Sequence, residues 1–275
     1  MKIGLVLSGG GGKGAYEVGV WTALQKLGLA EHIEVFSGTS IGAINAALFA
    51  QDDSDEMFRL WQEVTIDKLI PLSKLELMKK GIGVAIGGKV VQLSKKYMAQ
   101  KMVEGAVSKD GAIEIIDKYL HLERIIANKK ICYVTCTELP SLTAKYFRIN
   151  DYTPELGKEM IIASASLPHV YDCAVVLGTQ YVDGGIVDNT PIKPVYEERC
   201  DMIIVVTLEP KIYIDRDLYP GTSIIEIVPR QMIGNILTGT LNLDYEAKKI
   251  RIKQGYHDTM DLIEPIMKLT KMLPL

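Results

Sequence analysis

The sequence predicts an α/β fold on a mainly parallel sheet, and three stretches carry that expectation. Apolar runs alternate with helical patterns from Lys2 to Ala50, giving a βαβα order that calls for a parallel sheet. A glycine-rich loop, Ser8 to Gly14, sits where the first strand meets the first helix. Farther on, Ile203-Ile204-Val205-Val206 is continuous and β-branched, as suits a strand covered on both faces.

In chain order, Lys2–Leu7 reads as the first strand, Gly14–Leu27 as a helix, Ile33–Phe36 as a strand and Ile41–Ala50 as a small-residue, tightly packed helix. Met57, Leu60, Trp61 and Val64 fall at helical spacing within Asp55–Ile70, and Ile113, Ile116 and Leu120 repeat the pattern in Ala112–Leu120. Between them Gly81, Gly83, Gly87 and Gly88 interrupt any long helix. Further strands are expected at Lys130–Thr137, Ala144–Arg148, Ala174–Leu177, Gln180–Val182 and Met202–Leu208, and the tail from Ser223 to Leu275 reads as mostly helical. We expect one α/β domain over 1–210, with a helical cap insert at about 52–110, and a mainly helical extension over 211–275 packed on it.

Composition narrows the function classes. At 275 residues and 48% hydrophobic content the chain has ample apolar surface for a core. Cys132, Cys136, Cys173 and Cys200 lie in apolar segments without a C-x-x-C pair, which suits buried thiols in a reducing compartment. Met1–Ser8 has too short an apolar run for a signal peptide, and no run reaches the roughly 18 residues of a membrane span. A cytoplasmic location is therefore expected. The formal net charge is −3, yet Lys74–Met102 holds seven lysines against one acid, Glu76, interleaved with apolar residues. That segment and Lys248–Lys253 could rest on an anionic membrane surface, or could be solvated faces with snorkelling lysines.

Gly38-Thr39-Ser40-Ile41-Gly42 is a G-x-S-x-G run between a strand and a helix, the setting of a nucleophile elbow. Acyl transfer by Ser40 also needs a base and donors for the developing oxyanion. Gly9 to Gly14, around Lys13, can turn backbone N–H groups toward an anion at a helix N-terminus. Gly9, Gly11 and Gly14 also satisfy G-x-G-x-x-G, so a dinucleotide site competes, though Glu34 is the only nearby acid for a ribose. A phosphate-binding Walker loop fails because glycine follows Lys13. For the base, His169 is the best histidine and His257 would complete a Ser-Asp-His order, while Asp183-Gly184-Gly185 offers an acid at a strand end before a sharp turn.

Taken together, the glycine loop with Lys13, Gly38–Gly42, Ala163-Ser164-Ala165-Ser166-Leu167-Pro168, Asp183-Gly184-Gly185 and the following Asp188-Asn189-Thr190-Pro191 resemble, in order and setting, the patatin-like phospholipase family. The resemblance covers about Lys2 to Pro210. It implies a three-layer α/β/α fold with a mainly parallel central sheet and a helical cap. It also implies a lipid acyl hydrolase with a Ser–Asp dyad: Ser40 as nucleophile, Asp183 as base, and the N–H groups of Gly10, Gly11 and Gly12 as oxyanion hole. A lipid or ester substrate follows, with no cofactor, metal or nucleic-acid partner expected. Gly12 and Lys13 stand where many members have a variable residue and arginine. A nucleotide-binding protein using the glycine loop and a non-catalytic scaffold are the alternatives.

Overall fold

The computed structural model describes residues 2–70, 102–210 and 212–272. An eight-stranded sheet runs through the described residues in the order β5-β6-β3-β2-β1-β7-β8, with β4 paired to β3 beside that path. Its strands are β1 (Ile3–Leu7), β2 (Ile33–Thr39), β3 (Ile131–Glu138), β4 (Thr143–Arg148), β5 (Ala174–Val176), β6 (Thr179–Asp183), β7 (Met202–Val206) and β8 (Ser223–Ile227). The pairs joining β1, β2, β3, β7 and β8 are parallel, and β4, β5 and β6 pair antiparallel. The sheet is therefore mainly parallel, as the βαβα pattern requires. β8 is a departure: Ser223–Ile227 opens the stretch read as mostly helical, yet pairs in register with β7 and extends the sheet.

Side chains alternate across the sheet and divide the interior in two. Leu5 and Leu7 of β1 and Ile204 and Val206 of β7 point into the larger core, shared with α1 (Ala15–Lys26) and α2 (Ile41–Ala50). Val6, Ile203 and Val205 point the other way, against Ile192 and Val195 of a short helix at Ile192–Glu197. Helix, sheet and helix thus make three layers. Both faces of β7 are covered, which is why its sequence is β-branched without alternation. Trp21 of α1 stacks on Phe49 of α2, ring centroids 5.0 Å apart, and meets Phe36 of β2 edge-on, tying the first βαβα unit together.

The expected helix over Asp55–Ile70 breaks into α3 (Ser54–Glu63) and α4 (Ile66–Leu69). Thr65 ends the run by turning extended and accepting the Lys68 N–H as an N-cap. After it come α5 (Asp110–Tyr119), α6 (Leu122–Ala127), α7 (Pro154–Ser164), α8 (Ile192–Glu197) and the 28-residue α9 (Tyr245–Met272). Met102 is buried, while the rest of the lysine-rich Lys74–Met102 segment lies outside the described residues. No helix among the described residues is long and apolar enough to cross a membrane.

Candidate active site

Strand order reverses at β1, whose neighbours are β2 on one side and β7 on the other, and a crevice opens at the carboxyl ends of these strands. The glycine loop follows β1 and Ser40 follows β2, so topology brings the two together.

Ser40 is the single residue between β2 and α2, and it has φ +56° and ψ −124°. A non-glycine residue there carries strain on the order of 1–3 kcal/mol, sustained only where neighbours over-determine it. They do so here. The Ser40 N–H donates to Ser164 Oγ at 2.9 Å, whose own hydroxyl donates to the Thr135 carbonyl at 2.6 Å. Thr39 Oγ1 donates to the Asp188 carbonyl at 2.9 Å. The flanking glycines are required by close backbone approach: a Cβ on Gly38 would stand 2.1 Å from the Gly42 oxygen, and one on Gly42 would stand 2.4 Å from the Leu7 oxygen. The turn leaves Ser40 only 9% exposed, with its hydroxyl at the crevice.

Asp183 ends β6 and is 3% exposed. Thr137 Oγ1 donates to its carbonyl at 2.9 Å, and its N–H donates to the Ser166 carbonyl at 2.9 Å, so the backbone is fixed at both ends. In the carboxylate, Oδ1 accepts the Gly185 N–H at 2.8 Å, which is what the Gly184-Gly185 turn provides. Oδ2 is buried and accepts no hydrogen bond among the described residues. Burial pushes the carboxyl pKa up to about 6, while the Ser40 hydroxyl and the Gly185 N–H pull it down. The Ser40 hydroxyl thus bears on the Asp183 carboxylate.

The glycine loop closes the third side. Gly9 is clasped by Asn189, whose carbonyl accepts the Gly9 N–H at 3.2 Å and whose Nδ2 donates to the Gly9 carbonyl at 3.1 Å. Gly11 is left-handed, φ +55°, and leads into a 3-10 turn over Gly11–Gly14. No acceptor among the described residues takes the N–H groups of Gly10, Gly11 or Gly12. Lys13 is 4% exposed and its ammonium pairs with Glu209. The Gly14 carbonyl accepts from Asn45 Nδ2 at 3.1 Å, joining the loop to α2.

Two cavities meet at Ser40, Gly11, Leu167 and Thr240. One, of about 100 Å³, is lined mostly by apolar side chains, among them Ile44, Leu69, Ile116 and Leu243. The other, of about 260 Å³, is more polar and contains Asp183, Lys13, Asn189 and Glu209. An apolar chain and a polar group joined by an ester would place the ester at Ser40.

None of the four histidines lines either cavity, His169 and His257 included, and Glu34 is exposed on β2 away from both. No cluster of potential metal ligands occurs among the described residues. The basic run Lys248–Lys253 is divided: Lys249 and Lys253 are exposed, but Lys248 and Arg251 are each 4% exposed and bonded to backbone carbonyls. Half of the supposed surface cluster is thus interior. Sequence reasoning gave no role to Ser164 or Asn189, although both lie in quoted motifs; each acts on a backbone group distant in sequence.

The model of the family described as "Patatin-like phospholipase" matches residues 5–196. Lysophospholipase nte1 of Aspergillus terreus is 52% identical over 51 residues, which are 18% of this chain and 3% of that protein. An uncharacterized protein, YqhO, of Bacillus subtilis is 30% identical over 224 residues, covering 77% of this chain and 72% of its own. The chain spans only a few per cent of the length of the fungal and mammalian relatives that it matches over 51 and 58 residues. Among solved structures, VipD from Legionella pneumophila superposes with a TM-score of 0.56 at 16% identity, covering 96% of this chain and 66% of VipD, a likeness of fold.

Proposed function

The chain belongs to the patatin-like phospholipase family, and from that premise we propose that it is a serine acyl hydrolase of lipid carboxyl esters, of phospholipase A or lysophospholipase type, acting through a Ser40–Asp183 dyad. One observation carries the proposal. A strained, over-determined Ser40 shares a cleft with a buried carboxylate whose Oδ2 has no hydrogen-bond partner among the described residues.

In this reading Asp183 accepts the Ser40 proton as Oγ attacks the ester carbonyl carbon. The N–H groups of Gly10, Gly11 and Gly12, which no acceptor among the described residues takes, stabilise the oxyanion, aided by the N-terminal end of the helix that follows. Collapse of the intermediate breaks the bond to the leaving alcohol, which takes the proton from Asp183 and leaves an acyl-Ser40 ester. Asp183 then draws a proton from water, whose oxygen attacks the acyl carbon; the fatty acid leaves and the proton returns to Ser40 Oγ. The acyl chain occupies the apolar cavity and the polar portion the second.

A base must be deprotonated to act. With the Asp183 pKa raised to about 6, kcat/KM for a medium-chain ester is expected to fall as pH drops through about 6 and to level off above it. A profile recorded from pH 4.5 to 8.5 checks this, and an acid limb centred near the ordinary carboxylate value of about 4 would count against Asp183.

Peripheral membrane contact, within a cytoplasmic setting, is the second element of the proposal. Among the described residues its surface is Lys249 and Lys253 with exposed Tyr245 and Ile250 on α9. Binding to anionic vesicles is expected to weaken as salt shortens the screening length below about 8 Å. Salt-independent sedimentation, or none, would remove this element without touching the chemistry.

A further inference from the structure

Arg251 lies outside the residues matched by the family model and is almost fully buried on α9, where a surface cation was expected. Among the described residues its guanidinium makes three hydrogen bonds, all to backbone carbonyls. Nη1 donates to Gly12 at 2.9 Å and to Asn242 at 2.6 Å, and Nη2 donates to Thr238 at 2.7 Å. Among the described residues the acid acting on its charge is Asp244, through space and without a hydrogen bond. A buried guanidinium held by carbonyls and not by a carboxylate is costly to bury, so its position calls for a reason.

The carbonyls it gathers belong to two walls of the site. Gly12 is in the glycine loop. Thr238 and Asn242 flank Thr240, which lines both cavities, and they belong to a segment that begins with a π-helical turn at Ile236–Thr240. The two walls touch: a Cβ on Gly11 would stand 2.5 Å from the Thr240 oxygen, and one on Gly12 would stand 2.3 Å from the Asn242 oxygen. Arg251 can reach both because α9 lies unusually close to α1. A Cβ on Gly19 would stand 1.9 Å from the Ile252 oxygen, and one on Gly255 would stand 2.0 Å from the Tyr16 oxygen. A run of four glycines has little intrinsic preference for one peptide orientation, so N–H groups aimed at an oxyanion need an external constraint.

We propose that Arg251 is a positioning residue for the oxyanion hole: its guanidinium pins the Gly12 carbonyl and locks the 238–242 segment against the glycine loop, making α9 part of the catalytic apparatus. This rests on the acyl hydrolase reading above. Arg251 touches no reacting atom; it acts through the peptides of the loop. Its charge, set behind the loop in a low-dielectric interior, also favours negative charge gathering in front of it.

The test is Arg251→Lys, which keeps the charge but loses the planar fork that spans three carbonyls. Activity is counted per reactive serine, titrated with a fluorophosphonate, so unfolded protein drops out. We expect kcat to fall about tenfold or more with KM for a medium-chain ester within about twofold, because a misplaced donor weakens the transition state more than substrate binding. We also expect faster hydrogen–deuterium exchange in the peptide spanning Ser8–Tyr16, a readout that needs no activity. If Arg251→Lys yields no folded protein, Arg251→Gln takes its place in both measurements. Unchanged kcat per reactive serine overturns the inference, and so does a loss of kcat with unchanged exchange in the loop. A wild-type protein that neither hydrolyses the ester nor takes up the fluorophosphonate would instead refute the acyl hydrolase reading, leaving the exchange result alone to decide whether Arg251 holds the loop.

Discussion

Replacing Ser40 by alanine is expected to reduce ester hydrolysis by on the order of 10⁴-fold or more, with the fold intact. Removing a nucleophile removes the covalent route altogether, and what survives is the small acceleration from binding and oxyanion donors. The fold should tolerate the change. The Ser40 N–H bond to Ser164 does not involve the Ser40 hydroxyl, and alanine keeps the Cβ that already fits the strained turn. The check is turnover of a medium-chain ester alongside a thermal unfolding curve. Substantial turnover by a folded Ser40→Ala protein would mean that another group attacks the ester.

Asp183→Asn is expected to have the second largest effect, and to act in opposite directions on activity and stability. Asparagine keeps the shape and can still accept the Gly185 N–H, but it cannot take a proton from Ser40; a loss of roughly 10²- to 10⁴-fold is expected, the range of general base catalysis. Stability should move the other way. The folded-state pKa, about 6, lies above the ordinary value of 3.8, so the native state holds the proton more tightly than the unfolded chain. Stability contributed by the neutral form is complete below the unfolded value and is lost as pH rises through about 6. At pH 8 the ionised carboxylate therefore costs on the order of 3 kcal/mol relative to pH below 4. The neutral amide removes that cost. Asp183→Asn should melt several degrees higher than wild type at pH 8 and show a smaller advantage at pH 5. An equal or lower melting temperature at pH 8 would show that the carboxylate is not held at a cost in the native state. A stability gain coupled to lost turnover is what a site built for chemistry at the expense of the fold should give.

The parts of this site written in local sequence were legible; the parts made by distant backbone were not. Gly38–Gly42 could be recognised because the strained Ser40 and the two glycines that its turn requires fall within five residues. β7 was legible because a strand covered on both faces must be apolar throughout. β8 was not: Ser-Ile-Ile-Glu-Ile places Glu226 amid apolar residues, and only its pairing with β7 makes it a strand. Ser164 escaped because its role is to receive the N–H of Ser40, a backbone group to which no sequence pattern points. Lys248 and Arg251 misled for the same reason. A run of cations reads as a surface, but the Val64 and Gly12 carbonyls that receive them are supplied by other elements. The histidine candidates were set aside by geometry, since neither His169 nor His257 lines a cavity that contains Ser40.

The claim on which the rest depends is that Ser40 is the residue acylated, with Asp183 as its activator. Its most direct test is peptide mapping by mass spectrometry of the protein treated with an alkyl fluorophosphonate, run in parallel on wild type and on Asp183→Asn. One phosphonyl group per chain is expected, on Ser40, forming far more slowly in the variant. Labelling at another residue, or labelling of Ser40 at the same rate without the Asp183 carboxylate, would contradict it.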